Sequence, residues 1–526
     1  MKKILALLLL AFLLTLSGCQ GLNNWLFEDE SALTTPTPTP TYVPAPTPGV
    51  PRNDLFGLSW SGQSGLQPLS SDSRYDEQWL PLVYEGLFQL DENFQPQPLL
   101  CARYTTEDNK TFVFTLRTGV LFHDGRSLTA ADVVWSLNEA KKPGCIYAVR
   151  LSDMISVRAA EDNTVEVVLS RPNPRLPALL TMPVVPSKSN NMELAPGTGP
   201  YIPVFQAEFP HLEVFDGWWK NTPLPLRRLE LVSIISGDQL LTALSSRSLS
   251  LVSYNPSDVN GVRFRGDYES WENDTTVLEY IGFHTSRSPT DNATMRRALA
   301  AAIDRDTVGR DGADPRGITP VVLPFPPGSP LYDEELAAVH GYDPARAATL
   351  LYELGYEDRD GDGVLEASGW RASRLVLTMV VNSDNPHCVE AARAVVGNLT
   401  DMGILIDLQE LAFPEYLDAL SRGQFDMYYG AAALSADFSP LPFFRGGPLG
   451  YGGYNDAETL ALWAAAAAGT SDSEEWKDFW ARFVEEAPIV PILFQRQALL
   501  TQRGLMSDPR PVWENLFYHL PEWVID

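Results

Sequence analysis

Histidine and cysteine are scarce in this chain, six and four among 526 residues, and neither is spaced for metal or redox chemistry. His123, His211, His284, His340, His387 and His519 stand far apart, and no C-x-x-C pair occurs. That excludes zinc-ribbon and thioredoxin-like sites. A Gly-rich phosphate loop and a nucleophile elbow are also missing, so nucleotide hydrolysis and acyl transfer have no residues to carry them. The chain is expected to be no enzyme and to need no cofactor. Basic residues are few as well: 39 Lys and Arg face 67 Asp and Glu, a net charge of −28. So acidic a body is repelled by nucleic acid and by anionic headgroups. Long hydrophobic runs are absent but for Ile4 through Leu14, about half of the roughly 20 residues a membrane-spanning helix requires.

That run, preceded by Lys2 and Lys3, fits the apolar segment of a secretory signal, residues 1–18. Leu16-Ser17-Gly18-Cys19 follows and resembles the lipobox of bacterial lipoproteins. The resemblance implies that Cys19 becomes the mature N-terminus, lipidated and held in the bilayer on the extracytoplasmic face of the cell membrane. Losing Lys2 and Lys3 takes the charge from −28 to −30. Residues 19–52 read as a linker, because Thr34 to Pro51 alternates proline almost strictly. Such a segment cannot bury an apolar face and extends as polyproline II, about 3.1 Å per residue.

From Asn53 onward the composition is that of a globular body, 44% hydrophobic and 20% charged over the whole chain, long enough for two or three domains. Leu55–Trp60 and Phe112–Leu116 read as strands. Asp124-Gly125 is a turn, and Thr129 with Asp132 is placed to open a helix over Val133, Val134 and Leu137. Met295–Arg305 and Ala345–Leu354 predict helices, the second closed by Gly355. Leu375–Val381, Ile404–Leu411 and Phe425–Tyr429 predict strands, alternating with helices at Cys388–Met402 and Tyr416–Leu420. Alternation of this kind indicates α/β architecture with parallel strands.

Six segments in order then resemble one family, the extracellular solute-binding proteins of peptide-type ABC importers, family 5. They are Tyr84-Glu85-Gly86-Leu87-Phe88, the run Phe112–Leu137, Gly197-Thr198-Gly199-Pro200-Tyr201, Trp218-Trp219-Lys220-Asn221, Met295–Arg305 and Ala487–Leu500. The resemblance implies an α/β, two-lobed periplasmic-binding-protein-like fold of type II, cluster C, with an inserted extra domain. Lobe I would comprise 53–84, 188–283 and 495–526, the extra domain 85–187, and lobe II 284–494. Hinges are expected near 283 and 494. The implied partners are a peptide or other small solute, a permease and its ATPase subunits, with the chain itself a monomer. The family also serves nickel chelates, haem and oligosaccharides, and a peptide-sensing receptor uncoupled from transport would share the cleft.

Site residues carry over by position. Asp437, in Ala436-Asp437-Phe438-Ser439-Pro440, resembles the family aspartate that pairs with a peptide ammonium group; Phe438 replaces the usual tyrosine. Phe413 stands where the family places a tryptophan, Tyr147 where an aromatic of the extra domain faces the cleft, and Arg445 could meet a carboxylate. Separately, Asp358, Asp360, Asp362 and Glu366 imitate part of a calcium loop, but Gly369 takes the position of its bidentate glutamate. An acidic turn is the favoured reading. Export permits disulfides, and Cys101 with Cys145 is the candidate pair, leaving Cys388 over.

Overall fold

The fold is taken from a computed structural model. It describes residues 55–525 apart from 63–67, 70–77, 162, 190, 191, 193, 256–266, 313, 314, 370–372, 471 and 472. The signal segment, Cys19 and the proline-rich linker lie outside the described residues. Among those described, no helix is long and apolar enough to cross a membrane.

Three sheets organise the described chain. A four-stranded sheet joins Phe56–Trp60, Arg228–Ser233, His211–Val214 and Tyr201–Val204 in that order. A second, fully antiparallel sheet lies within the inserted region: Cys101–Thr106, Thr111–Leu116, Thr164–Leu169 and Met154–Ala159. Its alternating pattern turns Phe112, Phe114, Val165 and Val167 inward against Val133 and Leu137 of the helix Ala130–Ala140. That helix starts where the sequence places it. The Thr129 N–H and hydroxyl both donate to Asp132 Oδ2, at 2.9 and 2.6 Å, closing a capping box.

The third sheet has seven strands. Leu405–Leu411 and Met427–Ala433 both pair in parallel with Val376–Asn382, with the helices Pro386–Asp401 and Phe413–Arg422 as crossovers. This is the parallel α/β character read from the pattern. The helix expected over Met295–Arg305 is instead two, Ala293–Ala302 and Arg305–Gly312. Ile303 is extended between them, and Asp304 caps the second by accepting from the Thr307 N–H and hydroxyl. Asp304 competes for backbone donors there, which favours a cap over a helix interior.

Two long antiparallel strands, Tyr268–Phe283 and Ile489–Gln502, pair with one another along most of their length. Tyr268–Asp274 pairs with Arg496–Gln502, and Leu278–Gly282 with Ile489–Phe494; the register shifts between. Thr275 fills the gap, its hydroxyl donating to Gln495 O at 2.6 Å and accepting from Val277 N–H at 3.0 Å. Val277–Phe283 also pairs with Met427–Ala433. Phe283, near which one hinge is expected, thus ends a strand paired within the third sheet, and the register shifts between the two long strands lie at Asp274/Leu278 and Glu279/Tyr280. On the partner strand the first of these shifts lies between Phe494 and Arg496.

A close backbone approach between two remote segments explains one glycine. A Cβ on Gly197 would stand 1.8 Å from Val83 O. The Gly197–Tyr201 turn can lie against the Val83–Glu85 segment only without a side chain there.

Cys101, Cys145 and Cys388 are all free thiols, which corrects the expected Cys101–Cys145 bridge. The Cys101 thiol, buried in the inserted core, donates to Arg103 O at 3.1 Å; that of Cys145 donates to Leu69 O at 2.8 Å. Each sulfur is turned to a different carbonyl. Burial pushes the Cys101 thiol up to about 11, so it stays protonated and unreactive.

Candidate functional site at the junction of three segments

Charged side chains from distant parts of the chain converge at one place. Tyr147 and Arg150 lie in the loop between the helix Ala130–Ala140 and the strand Met154–Ala159. Asn173 and Arg175 follow the strand Thr164–Leu169, and Thr181 follows the short helix Leu176–Leu179. Glu514 comes from the C-terminal segment, and Asp437 from the loop after the strand Met427–Ala433.

Arg150 Nη2 donates to Glu514 Oε1 at 3.0 Å and Nη1 to Thr181 Oγ1 at 3.1 Å, while the Thr181 hydroxyl donates to Glu514 Oε2 at 2.7 Å. The guanidinium also lies over the Tyr147 ring, 5.0 Å from its centroid, a cation–π arrangement. Burial alone would lower the Arg150 pKa; Glu514, Tyr147 and the field of Asp437 more than reverse it. Arg150 is a fixed positive charge.

Asp437 is poorly neutralised by comparison. Its Oδ2 accepts from Asn173 Nδ2 at 2.9 Å and its Oδ1 from Ser439 N–H at a long 3.4 Å. Desolvation pushes its pKa above the ordinary carboxylate value, against the lowering by the Asn173 amide and the Arg175 guanidinium. Arg175, 6% exposed, spends its Nη2 on two carbonyls, Phe94 O at 3.1 Å and Ala436 O at 3.3 Å. It thereby ties the inserted region to the Asp437 loop.

Phe438, expected at the ligand, is instead a core residue, 2% exposed. Its ring meets Phe94, Phe325 and Phe494 at centroid distances of 5.4, 5.8 and 6.2 Å. Its backbone is left-handed, φ 50°. The change from tyrosine is accommodated because an apolar pocket takes the whole ring, and the plug holds Asp437 in place. Phe413 opens the helix Phe413–Arg422, its N–H donating to Asp384 Oδ2 at 3.0 Å and its ring packing at the margin of the lobe II core. Arg445 is exposed and its N–H donates to Tyr454 O at 2.8 Å. Neither touches the Arg150–Asp437 group. Tyr147 does, through Arg150.

In the acidic turn, oxygens of Asp358, Asp360 and Glu366 lie within 4.8 Å of one another. The fourth candidate, Asp362, is drawn off to Arg374. Asp358 accepts from Gly361 and Gly363 N–H at 2.8 and 3.0 Å, and Glu366 from Arg359 N–H at 3.1 Å. The carboxylates thus build the hairpin between Tyr356–Glu357 and Glu366–Ala367.

Arg150, Thr181, Glu514, Asn173 and Arg175 escape sequence reading. Arg150 stands three residues beyond Tyr147 in a loop already singled out, a usable signal. Glu514 has no local pattern around it.

Comparison with known proteins places this geometry in context. A family model described as bacterial extracellular solute-binding proteins, family 5 middle, matches residues 95–455. The dipeptide-binding protein of Escherichia coli is 27% identical over 412 residues, 70% of this chain and 74% of that one. The oligopeptide-binding protein OppA of Bacillus subtilis is 22% identical over 468 residues, 80% of this chain and 84% of the other. A glutathione-binding protein of Pectobacterium atrosepticum is 27% identical over 308 residues, 56% of this chain and 59% of its own length. Among solved structures, the unliganded open form of the periplasmic murein tripeptide-binding protein MppA superposes with a TM-score of 0.72 at 18% identity, covering 90% of this chain and 97% of that one. The substrate-binding protein CtaP of Listeria monocytogenes gives 0.69 at 20% identity, covering 89% and 99%. At such identities the superpositions speak for the fold alone.

Proposed function

The chain belongs to the bacterial extracellular solute-binding proteins of family 5, and we propose that the solute it captures is a short peptide, delivered unchanged to an ABC permease. Asp437 carries this reading. It is a carboxylate at a domain junction with a raised pKa and only amide donors in direct contact. A peptide's α-ammonium group placed there supplies the missing counter-charge, a charge-assisted hydrogen bond of about 1.5–3 kcal/mol. Side chains of the peptide would meet the Tyr147 ring and its neighbours Ile146 and Val149, which are 44% and 65% exposed.

Closure would occur about the two long strands, with peptide favouring the closed state by the contacts it makes only there. Lipid on Cys19 and the proline-rich spacer would hold the lobes near the permease. Native mass spectrometry of the purified chain tests the ligand class. A co-purified or added peptide should appear as a bound mass, and calorimetry should show it lost when the α-amine is acetylated. A bound haem, metal chelate or sugar in its place would overturn the peptide reading.

A further inference from the structure

Arg150 and Asp437 present opposite charges to one junction, yet only Arg150 already has a carboxylate on it. That carboxylate comes from the chain itself. Glu514 holds the guanidinium at 3.0 Å and takes the Thr181 hydroxyl at 2.7 Å, satisfying both oxygens as a ligand carboxylate would.

Three observations separate this from an ordinary structural ion pair. The Glu514 backbone is left-handed, φ 65°, a conformation disfavoured for a side-chain-bearing residue. Both charged side chains keep solvent access, 23% for Arg150 and 29% for Glu514, so the contact can be exchanged without opening a core. And the pair bridges the inserted region and the C-terminal segment, 364 residues apart, while the field of Asp437 reaches it from lobe II.

We propose that Arg150 and Thr181 form the carboxylate subsite of the cleft, and that Glu514 occupies it as a stand-in until a ligand carboxylate displaces it. Resting on the peptide reading above, the proposal narrows the substrate class: a zwitterion with its ammonium at Asp437 and a free carboxylate within reach of Arg150. Tyr147 holds the guanidinium plane in place in both states.

The test uses a pool of di- to pentapeptides with free C-termini and the same pool amidated, titrated against the full chain. The wild type should prefer the acid pool. Glu514→Gln, which keeps the hydrogen-bond acceptor but not the charge, should tighten the acid pool several-fold and leave the amide pool less affected. Arg150→Gln should cut acid binding by about tenfold, the worth of one charge-assisted contact, and abolish the preference; Arg150→Lys should restore part of it. Melting temperatures of each variant establish folding. Equal binding of acid and amide by the wild type would overturn the subsite while leaving the peptide reading standing. Glu514→Gln weakening both pools together, with a lowered melting temperature, would make Glu514 a structural latch and overturn the stand-in. Failure of both pools to bind the wild type would overturn both readings.

Discussion

His387 Nε2 stands 2.9 Å from Glu279 Oε1, and the two side chains are 4% and 0% exposed. Tyr429 and Gln495 add donors to the same carboxylate at 2.6 and 2.7 Å. One buried acid thus joins a helix start and three adjacent strands, directly at a register shift between the two long strands.

Removing one partner of this pair strands the other in the interior. His387→Ala should lower the unfolding free energy by about 3–5 kcal/mol, read by urea denaturation, and the double variant with Glu279→Gln should recover part of the loss. Burial raises the Glu279 pKa, but His387 and the donated hydrogen bonds reverse it, leaving it below the ordinary value of 4.5. A depressed carboxylate stabilises the fold above its unfolded pKa and loses that contribution as pH falls through the folded one. Acidification below about pH 4.5 should therefore cost the wild type more than Glu279→Gln.

Glu85 behaves in the opposite sense. It is 4% exposed and accepts from the Thr198 hydroxyl and the Trp218 and Trp219 indoles at 2.9, 3.2 and 2.8 Å. Desolvation still raises its pKa above 4.5. A raised carboxylate contributes most below its unfolded pKa and loses that as pH rises through the folded one. Glu85→Gln should gain stability relative to wild type between pH 4 and pH 7, followed by denaturation at each pH; a constant difference would contradict the assignment.

Asp437→Asn keeps the size and loses the charge. Affinity for an amine-bearing peptide should fall by about 1.5–3 kcal/mol, with the acetylated peptide indifferent to the change. Because the free Asp437 carboxyl titrates above 3.8, wild-type affinity should begin to fall at a higher pH than an exposed aspartate would show. Calorimetry at stepped pH values measures this.

Cys19→Ser should move the chain from the membrane fraction to the soluble extracytoplasmic fraction on fractionation. Retention in the membrane would remove the lipid tether from the account.

Local signals in the chain were strong where the chemistry is local. The capping box at Thr129 and Asp132 depends on neighbours three residues away, and the strands and helices from Val376 to Ala433 each carry their own hydrophobic period. The ordered set of six such segments was enough to indicate the family. The break after Ala302 and the free thiols of Cys101 and Cys145 were not legible, because a side-chain cap and a core decide them.

The candidate site divides the same way. Asp437 and Tyr147 stood out through motif position, whereas Asn173 meets Asp437 across 264 residues and Glu514 meets Arg150 across 364. Phe438 shows the reverse failure: a motif neighbour of the anchor, it is drawn into the core by Phe94, Phe325 and Phe494. Order along the chain alone determined the architecture and the acidity, since period, charge and composition are properties of short windows. Which charges face one another was decided only by the folded body, where desolvation and approach between remote segments set the electrostatics.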